Sequence, residues 1–162
     1  MASAATEPVS GTYHVFINHR GPDVKRTLAS LIYHRLTNCH GLRVFLDENE
    51  LHTGDALSSA ILGAIESASV HIAIFSKRYA ESRWCLDELC WILRCNRKII
   101  PVFYDVEPTD LRYIDSERGC YRKTFEEHQL KGRVGMEDIE KWKTALNKAS
   151  EISGLLFKTN ER

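Results

Sequence analysis

Four short runs of β-branched and aromatic residues alternate along this chain with segments of helical periodicity. The runs are YHVFIN (13–18), LRVFL (42–46), SVHIAIFS (69–76) and KIIPVFY (98–104), and each ends at polar turn residues, as strands do. Between them Leu28, Leu31, Ile32 and Leu36 fall on one helical face, as do Leu57, Ile61 and Ile65, and then Leu86, Leu89, Cys90 and Leu93. Ile139, Trp142, Leu146 and Ala149 mark a further amphipathic helix, and another is expected within 117–129. Strand and helix in this rhythm build βαβ crossovers, whose strands run parallel with helices covering both faces.

The expected class is therefore α/β, a flavodoxin-like three-layer sandwich with a parallel sheet of four to five strands in the order 2-1-3-4-5. Pro101 removes one ladder donor from the fourth strand, which puts at least part of that strand near a sheet edge. No fifth strand is visible, so any fifth strand must be short. At 162 residues the chain reads as one domain, long enough to bury about 70% of its unfolded surface. The expected domain is 12–154, between a mobile tail at 1–11 and a second tail at 155–162. MASAATEPVSG has neither the basic start nor the apolar core of a signal peptide, and no apolar run is long enough to span a bilayer. The expected location is cytoplasmic, with a nuclear pool allowed, and no membrane partner.

Lys plus Arg and Asp plus Glu each number 22, so the net charge is zero, which argues against non-specific nucleic-acid binding. Five cysteines, an odd number, fit a reducing compartment rather than a disulfide framework. Cys85, Cys90 and Cys95 recur every five residues and so scatter around a helix, which is no spacing for zinc. No metal site is expected.

In a 2-1-3-4-5 sheet, ligands bind beyond the carboxyl ends of strands one and three, where the strand order reverses. The loops there are NHRGPD (18–23) and SKRYAESRW (76–84), which would bring Arg20 close to Glu88. Trp84, Glu88 and Trp91 form a stripe beside the core face of the third helix, and Ser82 is placed to cap that helix. Spacing alone leaves two readings of Glu88 open: a functional carboxylate in the crevice, or a solvated surface charge beside a core tryptophan. A flavin-phosphate loop, a receiver aspartate, GxGxxG, a Walker loop and a nucleophile elbow are all missing from the sequence.

Several ordered phrases carry a resemblance: VFINHRGPD (15–23), GLRVFLDENELHTGD (41–55), IAIFSKRYAESRWCLDEL (72–89), IPVFYDVEPTDLR (100–112) and KWKTALNKASEISG (141–154). Together they resemble the Toll/interleukin-1 receptor (TIR) domains of plants over roughly residues 12 to 154. The resemblance implies a flavodoxin-like fold and, for many members, cleavage of NAD⁺ at the nicotinamide–ribose bond. Its W-C-L-x-E-L motif places the catalytic glutamate at Glu88. It implies that Asn18, His19, Arg20, Gly21, Pro22, Asp23 and Lys25 line the NAD⁺ site, with Asp47, Gly54, Ser82 and Trp84. Arg20 and Lys25 would face the diphosphate, Gly21 would admit close backbone approach, and Trp84 would wall the ribose. NAD⁺ is then a substrate, and no cofactor is implied.

Family enzymes assemble head to tail, so Glu48, Asn49, Leu51 and Asp55, in a loop reaching over a neighbour's site, and Ser30 on the first helix are implied contacts with other TIR domains. The chain departs from the family's pattern at four places. Asn18-His19 replaces serine-phenylalanine, Pro22 a glutamate, Lys25 an arginine, and Ser30-Leu31 a serine-histidine pair. Two function classes follow: an NAD⁺-cleaving enzyme active in immune and cell-death signalling, or a TIR module that associates without chemistry. Nucleotide cyclisation from RNA or DNA is a subsidiary implication.

Overall fold

The computed structural model describes residues 12–46, 57–132 and 134–159. Among them five strands form one parallel sheet: β1 (Val15–Asn18), β2 (Val44–Leu46), β3 (Val70–Phe75), β4 (Lys98–Tyr104) and β5 (Leu155–Phe157), in the order β2-β1-β3-β4-β5. Around it lie α1 (21–39), α2 (Ser59–Ser67), α3 (Arg83–Arg94), α4 (Pro108–Arg112), α5 (Arg122–Lys131) and α6 (Met136–Ser150). The sheet order and the flavodoxin-like class agree with the sequence.

Alternation along the strands sorts the core. Val15, Ile17, Ile72, Ile74 and Val102 point to one face, under Val24, Leu28, Ala29, Ile32 and Leu36 of α1. Phe16 and Ile99 point to the other, against Ile61 and Ile65 of α2 and Ile92 of α3. Ala73, Phe75 and Phe103 continue that second face under Leu86 and Leu89 of α3, Phe125 of α5 and Trp142 and Leu146 of α6. Central strands buried on both faces explain why β1 and β3 read as nearly unbroken apolar runs.

Leu31 departs from its expected place. It is 60% exposed, while Leu28, Ile32 and Leu36 pack inward. Helix α1 contains two π-helical stretches, Lys25–Ala29 and Arg35–Cys39, whose wider turns keep residues four apart in line and rotate Leu31 outward. The helix expected in 117–129 begins later, at Arg122, and the short helix Pro108–Arg112 carries too little periodicity to be seen in advance.

The stretch expected as a tail from 155 instead begins with β5, which pairs with Val102–Tyr104 and stacks Phe157 on Tyr104 at 5.3 Å between ring centroids. Three exposed residues leave no pattern to read. Pairing with β5 starts one residue after Pro101, so the amino-terminal half of β4 is a sheet edge, as the missing donor requires. Gly154 makes the approach possible, since a Cβ there would lie 2.3 Å from the Pro101 carbonyl oxygen.

His71 lies fully buried on β3, with Nε2 2.8 Å from the Ile65 carbonyl oxygen. A carbonyl can only accept, so Nε2 carries the proton and Nδ1 stays bare among apolar neighbours. Burial, with a lesser contribution from the Arg97 charge, lowers its pKa below the ordinary histidine value. The unfolded chain therefore takes up this proton first, and the associated stability is complete above about pH 6.5 and lost as pH falls below it. Calorimetry from pH 8 to 5 should show Tm falling through the acidic half of the range. His71→Gln, which keeps a donor and does not titrate, should flatten that fall; an unaltered profile would remove His71 as its cause.

Candidate active site

The site forms where β1 and β3 end side by side and their connections leave in opposite directions. β1 finishes at Asn18, opposite Ala73 of β3. The chain then passes through His19 and Arg20 into α1, which opens with Gly21 and Pro22; the proline ring suits the first helical turn, where N–H groups lack intrahelical partners. After β3, Ser76 leads to a 3₁₀ turn at Tyr79–Glu81 and then to α3. Ser82 caps α3 as expected, its Oγ accepting from the Cys85 N–H at 3.2 Å.

Glu88 is only 5% exposed. It therefore lies deeper than a stripe beside the core would put it, and the solvated reading does not hold. Burial along α3 includes Cys85, Leu86, Leu89 and Ile92, with Cys90 and Leu93 half-covered. Trp84 and Trp91 are also half-buried, and Trp91 lies under Arg94 at 5.0 Å.

Asn18 reaches Glu88 from the end of β1. Its Nδ2 donates to Glu88 Oε1 and to the Cys85 carbonyl, both at 3.3 Å. The Tyr79 hydroxyl, from the turn before α3, donates to Asn18 Oδ1 and stands 3.0 Å from the Cys85 carbonyl. Tyr79 is fully buried, and desolvation, then the charges around it, raises its pKa well above the ordinary phenol value. The Cys85 thiol donates to the His19 carbonyl at 3.3 Å, and burial followed by the Glu88 charge pushes its pKa far up. Cys85 is consequently a packed thiol and no nucleophile.

Arg20 makes a different set of contacts from the one expected. Its guanidinium meets Asp23 at 2.6 Å and Glu81 at 3.6 Å, and Glu81 is shared with Arg78 at 2.6 Å. Asp23 also accepts from the Ser76 hydroxyl, and the Tyr121 hydroxyl donates to the Ser76 carbonyl at 2.6 Å. Arg20 follows Asn18 and His19, which contact Glu88 and Cys85 of α3, so it leaves the same end of β1 that Glu88 faces. Arg20 and Glu88 are not an ion pair there: Arg20 is balanced by the acidic side chains of its own rim, and Glu88 is held by an amide.

Of the other expected site residues, His19 is buried, Gly21 and Ser30 are half-buried and Pro22 is exposed. Asp47, Glu48, Asn49, Leu51, Gly54 and Asp55 lie outside the described residues, as does the side chain of Lys25. The three cysteines of α3 and its end diverge, Cys85 toward His19 and Cys90 toward the Lys141 carbonyl of α6. Among the described residues no cluster of three His, Cys, Asp or Glu side chains is arranged for a metal. Tyr79, Glu81 and Cys85 were not expected at the site. The aromatic Tyr79 within a largely polar βα loop is the signal that the sequence offers for it.

A doubly wound parallel sheet with a buried carboxylate at its switch point defines the class: a flavodoxin-like α/β domain with its candidate site at the β1/β3 crevice. Within that class the chain belongs to the TIR domain family, whose model matches residues 12–161. The chain is 37% identical over 147 residues to TMV resistance protein N of Nicotiana glutinosa, covering 88% of this chain and 12% of that protein. It is 40% identical over 149 residues to the Brachypodium distachyon protein named Probable 2' cyclic ADP-D-ribose synthase BdTIR, covering 90% of this chain and 59% of that one. The chain thus spans from about an eighth to about three-fifths of these two relatives. The TIR domains in the structure of the activated Roq1 resistosome superpose with a TM-score of 0.76 at 33% identity, covering 90% of this chain and 87% of that one.

Proposed function

We propose that this domain is an NAD⁺ glycohydrolase and ADP-ribosyl cyclase, which breaks the nicotinamide–ribose bond and releases nicotinamide with ADP-ribose or a cyclic isomer. The observation that carries the reading is the buried carboxylate of Glu88, anchored by Asn18 at the switch point of the sheet. The relative named Probable 2' cyclic ADP-D-ribose synthase BdTIR supports it. Glycosidases ordinarily use two carboxylates, one of them to protonate the leaving group. Nicotinamide is bound in NAD⁺ as a pyridinium and departs neutral, so no proton donor is needed. The bonding electrons leave with the nicotinamide nitrogen, and positive charge develops on the ribose. A single fixed carboxylate can stabilise that charge. Water then closes the reaction to ADP-ribose, or a hydroxyl or ring nitrogen of the same molecule closes it to a cyclic product, and the nucleophile's proton passes to solvent. NAD⁺ is the substrate, and no cofactor enters.

A second reading, an associating module without chemistry, draws on Arg20: its pairing with Asp23 and Glu81 offsets the charge expected to greet a diphosphate. Incubation with NAD⁺ and chromatography of the products separates the readings. Release of nicotinamide supports the enzyme; intact NAD⁺ at high protein concentration supports the module.

In this proposal the domain works as an immune-signalling enzyme of the cytoplasm, with self-association and contacts to other TIR domains as its means of activation. The match to TIR domains of a resistosome supports association. So does the β5 edge, which presents Leu155, Leu156 and Phe157 to solvent. No helix among the described residues is long and apolar enough to cross a membrane. If the loop from Asp47 to Asp55 completes a neighbour's site, specific activity should climb with protein concentration. A dilution series that leaves it flat would show that each subunit carries a complete site.

A further inference from the structure

We infer that Asn18 is a positioning residue for Glu88, a buried amide that fixes where the carboxylate stands without bringing a charge of its own. This rests on the proposed NAD⁺ chemistry and concerns the same site. Asn18 is completely buried, and its carboxamide has partners at both ends. The orientation of the amide follows from those partners. Glu88 Oε1 as a carboxylate and the Cys85 carbonyl can only accept, so the NH₂ group faces both and Oδ1 faces the Tyr79 hydroxyl. Tyr79 thereby locks the amide against flipping, and the three residues come from three elements: the end of β1, the 3₁₀ turn and α3.

Satisfying the helix does not account for this arrangement. The Cys85 carbonyl lies within α3, where the Leu89 N–H is its regular partner, so the Asn18 contact there is additional. The contact that matters electrostatically is the one to Glu88. A cation in the place of Asn18 would hold the carboxylate too, but it would also cancel the charge that must meet the positive ribose. A neutral donor holds without cancelling. Among the described residues, the charged and titratable groups around this point include Cys85 of α3, Tyr79 of the turn, Tyr121 just before α5, Arg20 just before α1 and Asp23 in its first turn. Arg20 and Asp23 pair with each other, and the amide supports Oε1 from the end of β1.

The test compares Asn18→Asp and Tyr79→Phe with the wild type by two readouts. One is the pH profile of kcat with NAD⁺. The other is the ¹³C titration of the Glu88 carboxyl, assigned by its absence in Glu88→Gln. Asn18→Asp keeps the shape and faces one carboxylate with another. The Glu88 midpoint and the acidic limb of kcat should both move up by at least about one pH unit. Tyr79→Phe frees the amide, and kcat should fall about ten- to a hundredfold with KM little changed. A folded Asn18→Asp protein whose Glu88 midpoint stays in place overturns the proposal, whether or not NAD⁺ is the substrate. If the wild type turns over no NAD⁺, a moved midpoint still upholds the hold on Glu88, and the enzyme reading alone is lost. If Asn18→Asp does not fold, Tyr79→Phe decides: a lowered Tm with unchanged kcat means that the triad is structural, and the proposal fails.

Discussion

Glu88→Gln should reduce NAD⁺ turnover by at least about a hundred- to a thousandfold, the loss expected when one preorganised charge opposite a developing charge is removed. The substitution isolates charge from shape. Glutamine keeps an oxygen where Glu88 Oε1 now accepts from Asn18, so the buried Asn18 amide retains its partner. Truncation to alanine would strand that donor and open a void as well, mixing a stability loss of about 1–3 kcal/mol into the result. Burying a carboxylate to 5% exposure is itself costly to the fold. Glu88→Gln should therefore melt no lower than the wild type, the usual sign of a residue kept for activity. Purified protein, a nicotinamide-release assay and thermal melts are sufficient. Turnover near the wild-type rate in folded Glu88→Gln would remove Glu88 from the chemistry.

Arg20→Ala should lower kcat/KM for NAD⁺ about ten- to a hundredfold, equivalent to the loss of one charge-assisted contact of roughly 1.5–3 kcal/mol. The expected mechanism has two parts. The guanidinium no longer faces the diphosphate, and on the same rim Asp23 loses its 2.6 Å cation partner while Glu81 keeps only Arg78. Arg20→Lys should fall between, because a lysine supplies charge without the planar fork. Glu81→Gln tests the rim from the other side: it releases Arg20 from one of its two carboxylates and should lower KM. The same kcat/KM in Arg20→Ala as in the wild type would make this ion pair part of the scaffold alone.

The resemblance and the periodicity together made most of the architecture legible. β4 spans the residues that its sequence run marks, 98–104, and Ile139, Trp142, Leu146 and Ala149 all lie on the buried face of α6. These elements repeat a local pattern, and local patterns survive in a single sequence. The sheet order and the crevice followed because parallel strands joined by helices have few ways to connect. Glu88 could be named from its motif, and Ser82 could be read as a cap from its position before an apolar helical face.

The packing of the site was decided by tertiary structure. Asn18, Tyr79 and Glu88 meet only because β1, the 3₁₀ turn and α3 converge on one end of the sheet, and no spacing along the chain encodes that meeting. Arg20 looked like a neighbour of Glu88, yet Asp23, one helical turn away, and Glu81, brought in by the β3–α3 connection, take its charge first. Leu31 turned outward because π-helical turns shift the register of a face that a regular helix would have kept. β5 is a strand because Gly154 lets the chain close against Pro101, and its own three residues hold no periodic signal. Sequence determined which elements exist, because burial imposes periodicity on each one separately. Only the fold determined which polar groups share the crevice, because those partners are chosen by elements far apart in the chain.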